Sequence, residues 1–128
     1  MLIKVLKSKA KELTVTESTT SYEGSIILDP ALIEALNLVP YEHCEVNSKE
    51  SSSRISTYVV PGKDGDVIIG GGAANMFTKG EKIHVNCFGY IDDWQRRRED
   101  VREVNPKNEK TQIITTDVEN KVTDISEA

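Results

Sequence analysis

The apolar, β-branched residues of this chain come in short runs, and each run is closed by turn chemistry. Leu13-Thr14-Val15-Thr16, Ser25-Ile26-Ile27-Leu28, Glu42 to Asn47, Arg54 to Val60, Val67-Ile68-Ile69 and Gly80 to Tyr90 all read as strands, because branched side chains suit a pleated surface. Along Arg54 to Val60, Ile55, Thr57 and Val59 share one face, and Arg54, Ser56, Tyr58 and Val60 the other. The first eleven residues, in which Lys4, Lys7, Lys9 and Lys11 interrupt the apolar positions, read as a strand leading into a turn. Strands this short bury their apolar faces only by pairing into a sheet that closes or is covered. Helical signals are brief. Asp29-Pro30 offers a cap and a first helical position ahead of Leu32, Ile33, Leu36 and Leu38. A helical turn is expected through Ala73, Ala74 and Met76, and a helix from Asp92 to Arg98. The pattern predicts a mainly β domain, a small closed barrel with short helical insertions. It is expected to span residues 1–104, with 105–128 as a polar, flexible tail.

The length, 128 residues, suits one domain. With 16 Lys+Arg against 21 Asp+Glu, the net charge of −5 argues against non-specific nucleic-acid binding, which is driven by neutralising phosphates. No apolar run approaches the roughly 20 residues of a membrane span, and Lys4 breaks any signal-peptide core, so no membrane partner is expected. Two cysteines, Cys44 and Cys87, make no disulfide framework, and a reduced, cytoplasmic setting is the expectation.

Several sites can be set aside. Gly70-Gly71-Gly72-Ala73-Ala74-Asn75 lacks the last glycine of a dinucleotide loop and the Gly-Lys-Ser/Thr of a phosphate loop. It reads as a plain turn or as a loop facing a ligand. His43, Cys44, His84 and Cys87 repeat no zinc spacing, so no metal is expected. Arg96, Arg97, Arg98 and Arg102 lie among Asp92, Asp93, Glu99 and Asp100, which reads as a solvated face. Gly24-Ser25, at the edge of a strand, allows a hydroxyl to attack the preceding carbonyl and shift the amide to an ester. A Gly-Ser pair alone also reads as a turn entering a strand.

Taken together, Lys9, Tyr22-Glu23-Gly24-Ser25, Arg54-Ile55-Ser56-Thr57-Tyr58 and Gly72-Ala73-Ala74 resemble the pyruvoyl-dependent aspartate 1-decarboxylase family over roughly residues 1 to 104. That resemblance implies a six-stranded double-psi β-barrel, a homotetramer with sites between subunits, and self-cleavage into 1–24 and 25–128. Ser25 would become the pyruvoyl group, a covalent cofactor that forms a Schiff base with substrate; no metal is implied. Tyr58 would be the proton donor. Gly24, Ser25, Thr57 and Tyr22 would serve processing. Lys9, Arg54, Thr57 and the backbone of Gly72, Ala73 and Ala74 would bind a small acidic amino acid. The product would be β-alanine for pantothenate and coenzyme A, and some family members use an acetyltransferase-like maturation factor.

The chain also departs from the family pattern. Asn usually stands directly before Gly-Ala-Ala; here that place is Gly71 or Gly70. Position 11 is Lys where His is common, and Arg98-Glu99-Asp100-Val101 lacks the usual Pro. These changes also fit a paralogue acting on another acidic amino acid, or a non-catalytic barrel that is never processed.

Overall fold

The computed structural model describes residues 1–92 and 111–127. Nine strands order as β2-β6-β3-β5-β4-β7-β1-β8-β9. They are β1 (Leu2–Thr14), β2 (Glu17–Thr19), β3 (Ser25–Leu28), β4 (His43–Ser48), β5 (Arg54–Pro61), β6 (Val67–Gly70), β7 (Lys82–Asp92), β8 (Gln112–Thr116) and β9 (Val122–Glu127). One α-helix, α1 (Pro30–Ala35), and a 3-10 helix (Gly71–Met76) complete the elements.

The strand order closes on itself because β1 and β2 are one course of chain. Between them the Val15 N–H donates to Glu81 O (3.0 Å) and the Thr16 N–H to Val67 O (2.8 Å). The β1–β2 course therefore borders β7 at one end and β6 at the other, giving a ring of six with β3, β4 and β5. Two of its pairs are parallel, β2 with β6 and β3 with β5. This is the arrangement of a double-psi β-barrel. The interior holds Ala10, Leu13, Ile26, Leu28, Val46, Val59, Ile69, Ile83 and Val85, and Leu32 of α1 and Leu36, which caps its C-terminus, join the same core.

The strands from Ser25 to Gly70 follow the sequence reading closely. The N-terminus does not: in place of a strand, a turn and a second strand stands one 13-residue strand. Its register shifts between Leu6 and Ser8 and between Ala10 and Leu13, and Glu12 takes φ 56°. The second bulge lets Ala10 and Leu13, three apart, both point into the core. That break of the two-residue period is what resembles a turn in sequence. Residues 112–127 also differ from the expected flexible tail. β8 pairs parallel to β1 over Ser8–Lys11 and antiparallel to β9, and Ile114 is fully buried. The expected helix from Asp92 to Arg98 lies, beyond its first residue, outside the described residues.

Asp29 fastens three parts of this fold. It caps α1 by accepting the Ala31 N–H (2.8 Å), and it also accepts the Gly65 N–H (2.8 Å) and Lys121 Nζ (3.2 Å). Burial alone raises a carboxyl pKa, but the two backbone donors and Lys121 together hold Asp29 below its ordinary 3.8. A lowered folded-state pKa stabilises the fold above the unfolded value, and that contribution is lost as pH falls through the folded one. Asp29→Ala is expected to cost about 3 kcal/mol near neutral pH, a cap plus a charged hydrogen bond. Asp29→Asn should keep part of the cap and flatten the acid limb. Urea midpoints measured from pH 7 down to below 4 check both.

Candidate active site

The site forms where β3 begins. Gly24 and Ser25 both have positive φ, 110° and 115°. For Ser25 this is a strained conformation, costing on the order of 1–3 kcal/mol. Ser25 is only 5% exposed and pairs with Gly70 of β6, while its neighbour Ile26 pairs with Val59 of β5. Ser25 is therefore held between β6 and the Tyr58 end of β5.

Three glycines shape the space around this peptide, each differently. A Cβ on Gly70 would lie 2.8 Å from Tyr22 Cβ and 3.5 Å from Ser25 O. A Cβ on Gly71, whose φ is 76°, would lie 2.5 Å from both Cα and N of Gly24. A Cβ on Gly72 would meet nothing within 4 Å. Gly71 is thus bare because the backbone of Gly24 lies against it. Gly70, opposite Ser25, is the position from which a side chain would reach the Ser25 carbonyl. A side chain at either position would be crowded, at Gly70 by Tyr22 and at Gly71 by the backbone of Gly24. From Gly71 the chain turns into the 3-10 helix, with Ala73 half-buried and Ala74 buried. The Ser18 hydroxyl donates to Ala74 O (2.6 Å) and so ties this helix to β2.

Tyr58 stands beside the Gly24-Ser25 peptide. Its hydroxyl lies 3.8 Å from where a Cβ on Gly24 would be, and its ring, 38% exposed, leans on Tyr41 with centroids 6.1 Å apart. Thr57 is half-buried on the opposite side of β5, and no hydrogen bond joins its hydroxyl to the Gly24 carbonyl in this structure. Lys9 and Arg54 are not gathered here. Arg54 is four residues from Tyr58 along β5, about 13 Å at strand rise. Lys9 is on β1, opposite Asn86 of β7 and three strands from β5. Neither cation makes an ion pair among the described residues, whereas Lys7 pairs with Glu42, Lys49 with Glu12 and Lys121 with Asp29.

Other reactive side chains play no part at this peptide. Cys44 and Cys87 face each other across β4 and β7 inside the barrel, fully buried. Burial pushes their thiols up to about 12 and about 11, so they remain protonated and inert. His84 is held below its ordinary value, first by burial and then by the charge of Lys9. Among the described residues no group of three or more His, Cys, Asp or Glu is placed to hold a metal ion. No described helix is long and apolar enough to cross a membrane.

In sequence Gly70 and Gly71 are alike; the fold sets Gly70 against Tyr22 and Gly71 against Gly24. The division was not visible in Gly70-Gly71-Gly72 itself. It follows from which glycine pairs with Ser25 and which lies on Gly24, a long-range fact.

The profile of the family described as Aspartate decarboxylase matches residues 1–123. Aspartate 1-decarboxylase of Persephonella marina is 35% identical over 120 residues, covering 92% of this chain and 79% of that protein. The Salinibacter ruber protein of the same name is 34% identical over 122 residues, covering 92% of this chain and 84% of its own. That of Clostridium novyi is 34% identical over 99 residues, covering 76% and 80%. With a match of this extent and a strained Gly-Ser peptide seated against bare glycines, the chain belongs to the aspartate decarboxylase family.

Proposed function

We propose that the chain cleaves itself between Gly24 and Ser25 and then converts L-aspartate to β-alanine and CO2, in support of pantothenate and coenzyme A synthesis. The observation that carries this reading is the strained Gly24-Ser25 peptide, held against Gly71 with the Tyr58 hydroxyl beside it. Ser25 Oγ adds to the Gly24 carbonyl carbon, and the Ser25 nitrogen leaves, converting the amide to an ester. Strain in the amide favours the shift. Elimination across Cα–Cβ of residue 25 then releases Gly24 as a carboxylate. Water displaces the nitrogen as ammonia, leaving a ketone at the new N-terminus. Thr57, next to Tyr58 on β5, polarises the Gly24 carbonyl once its hydroxyl turns to that oxygen. Tyr22 walls the loop.

The surroundings fit a pyruvoyl group at residue 25. The position is buried and its strand partner Gly70 carries no side chain. When formed, that group supplies a ketone that condenses with the substrate amine and a conjugated carbonyl that takes up the electron pair released with CO2. Tyr58 returns a proton to the carbon that lost CO2, for which its exposed hydroxyl is well placed. Lys9 and Arg54 hold the side-chain carboxylate, Arg54 through two parallel bonds. Backbone N–H groups of Gly72, Ala73 and Ala74 face the substrate where small side chains leave room.

Lys9 and Arg54 lie on the outer face of the sheet, away from Ser25. This supports a homotetramer in which a neighbouring copy brings them to the cleavage site. The setting is the cytoplasm, where Cys44 and Cys87 stay reduced. A denaturing intact-mass spectrum of the purified protein tests the reading. Two chains, 1–24 and 25–128, are expected, the larger one ammonia lighter than a fragment beginning with serine. The missing Asn before Gly72-Ala73-Ala74 favours one second reading, a barrel that is not processed unaided. A chain that stays uncut alone, but is cut on adding an acetyltransferase-like maturation factor, keeps the enzyme reading. A chain uncut under both conditions overturns it.

A further inference from the structure

Outside the cleavage peptide, the outer face of the sheet carries a second ordered group of polar side chains. Asn86 stands directly opposite Lys9, and Asn47 directly opposite Arg54. Asn86 Nδ2 donates to Asn47 Oδ1 (2.8 Å). Residues opposite one another in antiparallel strands share a face. Lys9 and Asn86 therefore make one row across β1 and β7, Arg54 and Asn47 make the neighbouring row across β5 and β4, and the Asn86–Asn47 bond joins the two rows diagonally, with a cation at each outer end.

We propose that this amide pair is part of the substrate site, receiving the side-chain carboxylate between Lys9 and Arg54. The inference rests on the decarboxylase reading above and adds Asn47 and Asn86 to the residues that touch substrate. Asparagine suits a mid-strand position poorly, and here two of them meet on adjacent strands. Their mutual bond occupies one donor and one acceptor, and the Asn47 amide N–H groups have no partner among the described residues. Both cations are likewise without ion pairs among those residues. The end strands are about 14 Å apart and the two rows are offset by two residues, about 7 Å, so Lys9 and Arg54 start about 16 Å apart; with side chains of about 6 Å each, both heads reach one carboxylate seated between them. A carboxylate seated there accepts from both cations and from Asn47, with direction supplied by the amide and charge by the ends. Glu45 shares this face opposite Asn86 and Ser56, and so repels an anion from that side. His84, opposite Asn47, borders the other side and accepts the Glu12 N–H at Nδ1 (3.3 Å).

Asn47→Asp tests the proposal by placing a negative charge between the two cations, and succinate, a dicarboxylate with no amine, serves as the probe. The variant should be cut between Gly24 and Ser25 as completely as the wild type, because Asn47 takes no part in the attack of the Ser25 hydroxyl on the Gly24 carbonyl. Succinate affinity should fall at least about tenfold by calorimetry, and the KM for aspartate should rise by about the same factor, with kcat within about threefold. Asn86→Asp should act likewise. Asn47→Gln, which keeps a neutral amide, should recover part of the loss. An unchanged KM and unchanged succinate affinity in both Asp variants, with melting temperatures at the wild-type value, overturns the proposal, as does a wild type with no affinity for succinate. A wild type that binds succinate through Asn47 yet is never cut and never releases CO2 overturns the decarboxylase reading and leaves the carboxylate site standing.

Discussion

Gly71→Ala is expected to give a single uncut chain with no decarboxylase activity, while Gly72→Ala is cut and active. The two glycines are neighbours, and the difference comes from what lies beyond each. At Gly71 a methyl group would stand 2.5 Å from the Cα and N of Gly24, backbone atoms that have nowhere to go without moving the cleavage peptide. Its φ of 76° adds strain for any L side chain. At Gly72 a methyl group meets nothing within 4 Å. Ser25→Ala should give the same uncut product as Gly71→Ala for a chemical reason, since it removes the attacking hydroxyl and leaves the backbone in place. Melting temperature separates the two cases: Ser25→Ala should keep the wild-type value, and Gly71→Ala should lower it. Intact mass, melting temperature and CO2 release on the three variants check the set. A cleaved, active Gly71→Ala would mean that the close contact with Gly24 is not needed for processing.

That pair of glycines marks where sequence reasoning reaches its limit. Ser25–Leu28 and Val67–Gly70 are legible as strands because their side chains are branched and apolar over the whole run. The cap of α1 is legible because Asp29-Pro30 is a local signal. The alternation of β5 already separates Tyr58 and Arg54 from Thr57. The partner strand is a different matter: that Ser25 lies against Gly70, or that Asn86 meets Asn47, depends on how distant strands align, and no local pattern encodes it. The same holds for the separation of Lys9 and Arg54 from Ser25. Their order along the chain matches the family motif, and only the folded sheet shows that one copy leaves them away from the cleavage peptide.

Deleting residues 111–128 is expected to bring the protein close to unfolding, although they read in sequence as a polar tail. Thr115, Asp117, Glu119 and Lys121 give the segment a loop's composition, and among its described residues Ile114 is the only fully buried hydrophobic one. What holds it is non-local. β8 pairs with the free edge of β1, and the Thr111 hydroxyl donates to Leu6 O (2.7 Å). Asn120, 1% exposed and at φ 63°, accepts the Thr14 N–H (2.8 Å) and donates to Thr14 O (2.9 Å), in the way a strand partner would. Loss of Ile114 costs about 2–5 kcal/mol and the two bonds to Thr14 about 1 kcal/mol each. The sum is comparable with the roughly 5–15 kcal/mol that a domain of this kind has in total. Asn120→Ala alone is expected to cost about 2–3 kcal/mol and to lower Tm by about 10 °C, measured by calorimetry. The hairpin carries a second consequence if the chain is cut after Gly24. β1 and β2 then belong to a separate 24-residue piece, held without a covalent link by its contacts, among them those with β6, β7, β8 and Asn120. In cut protein, Asn120→Ala should therefore release the 1–24 piece at a lower urea concentration than wild type. An uncut Ser25→Ala, Asn120→Ala double variant should keep the same segment in place by its covalent link. Size-exclusion chromatography in graded urea, with the short piece followed by mass, distinguishes the two; equal retention in both would mean that Asn120 does not hold the short piece.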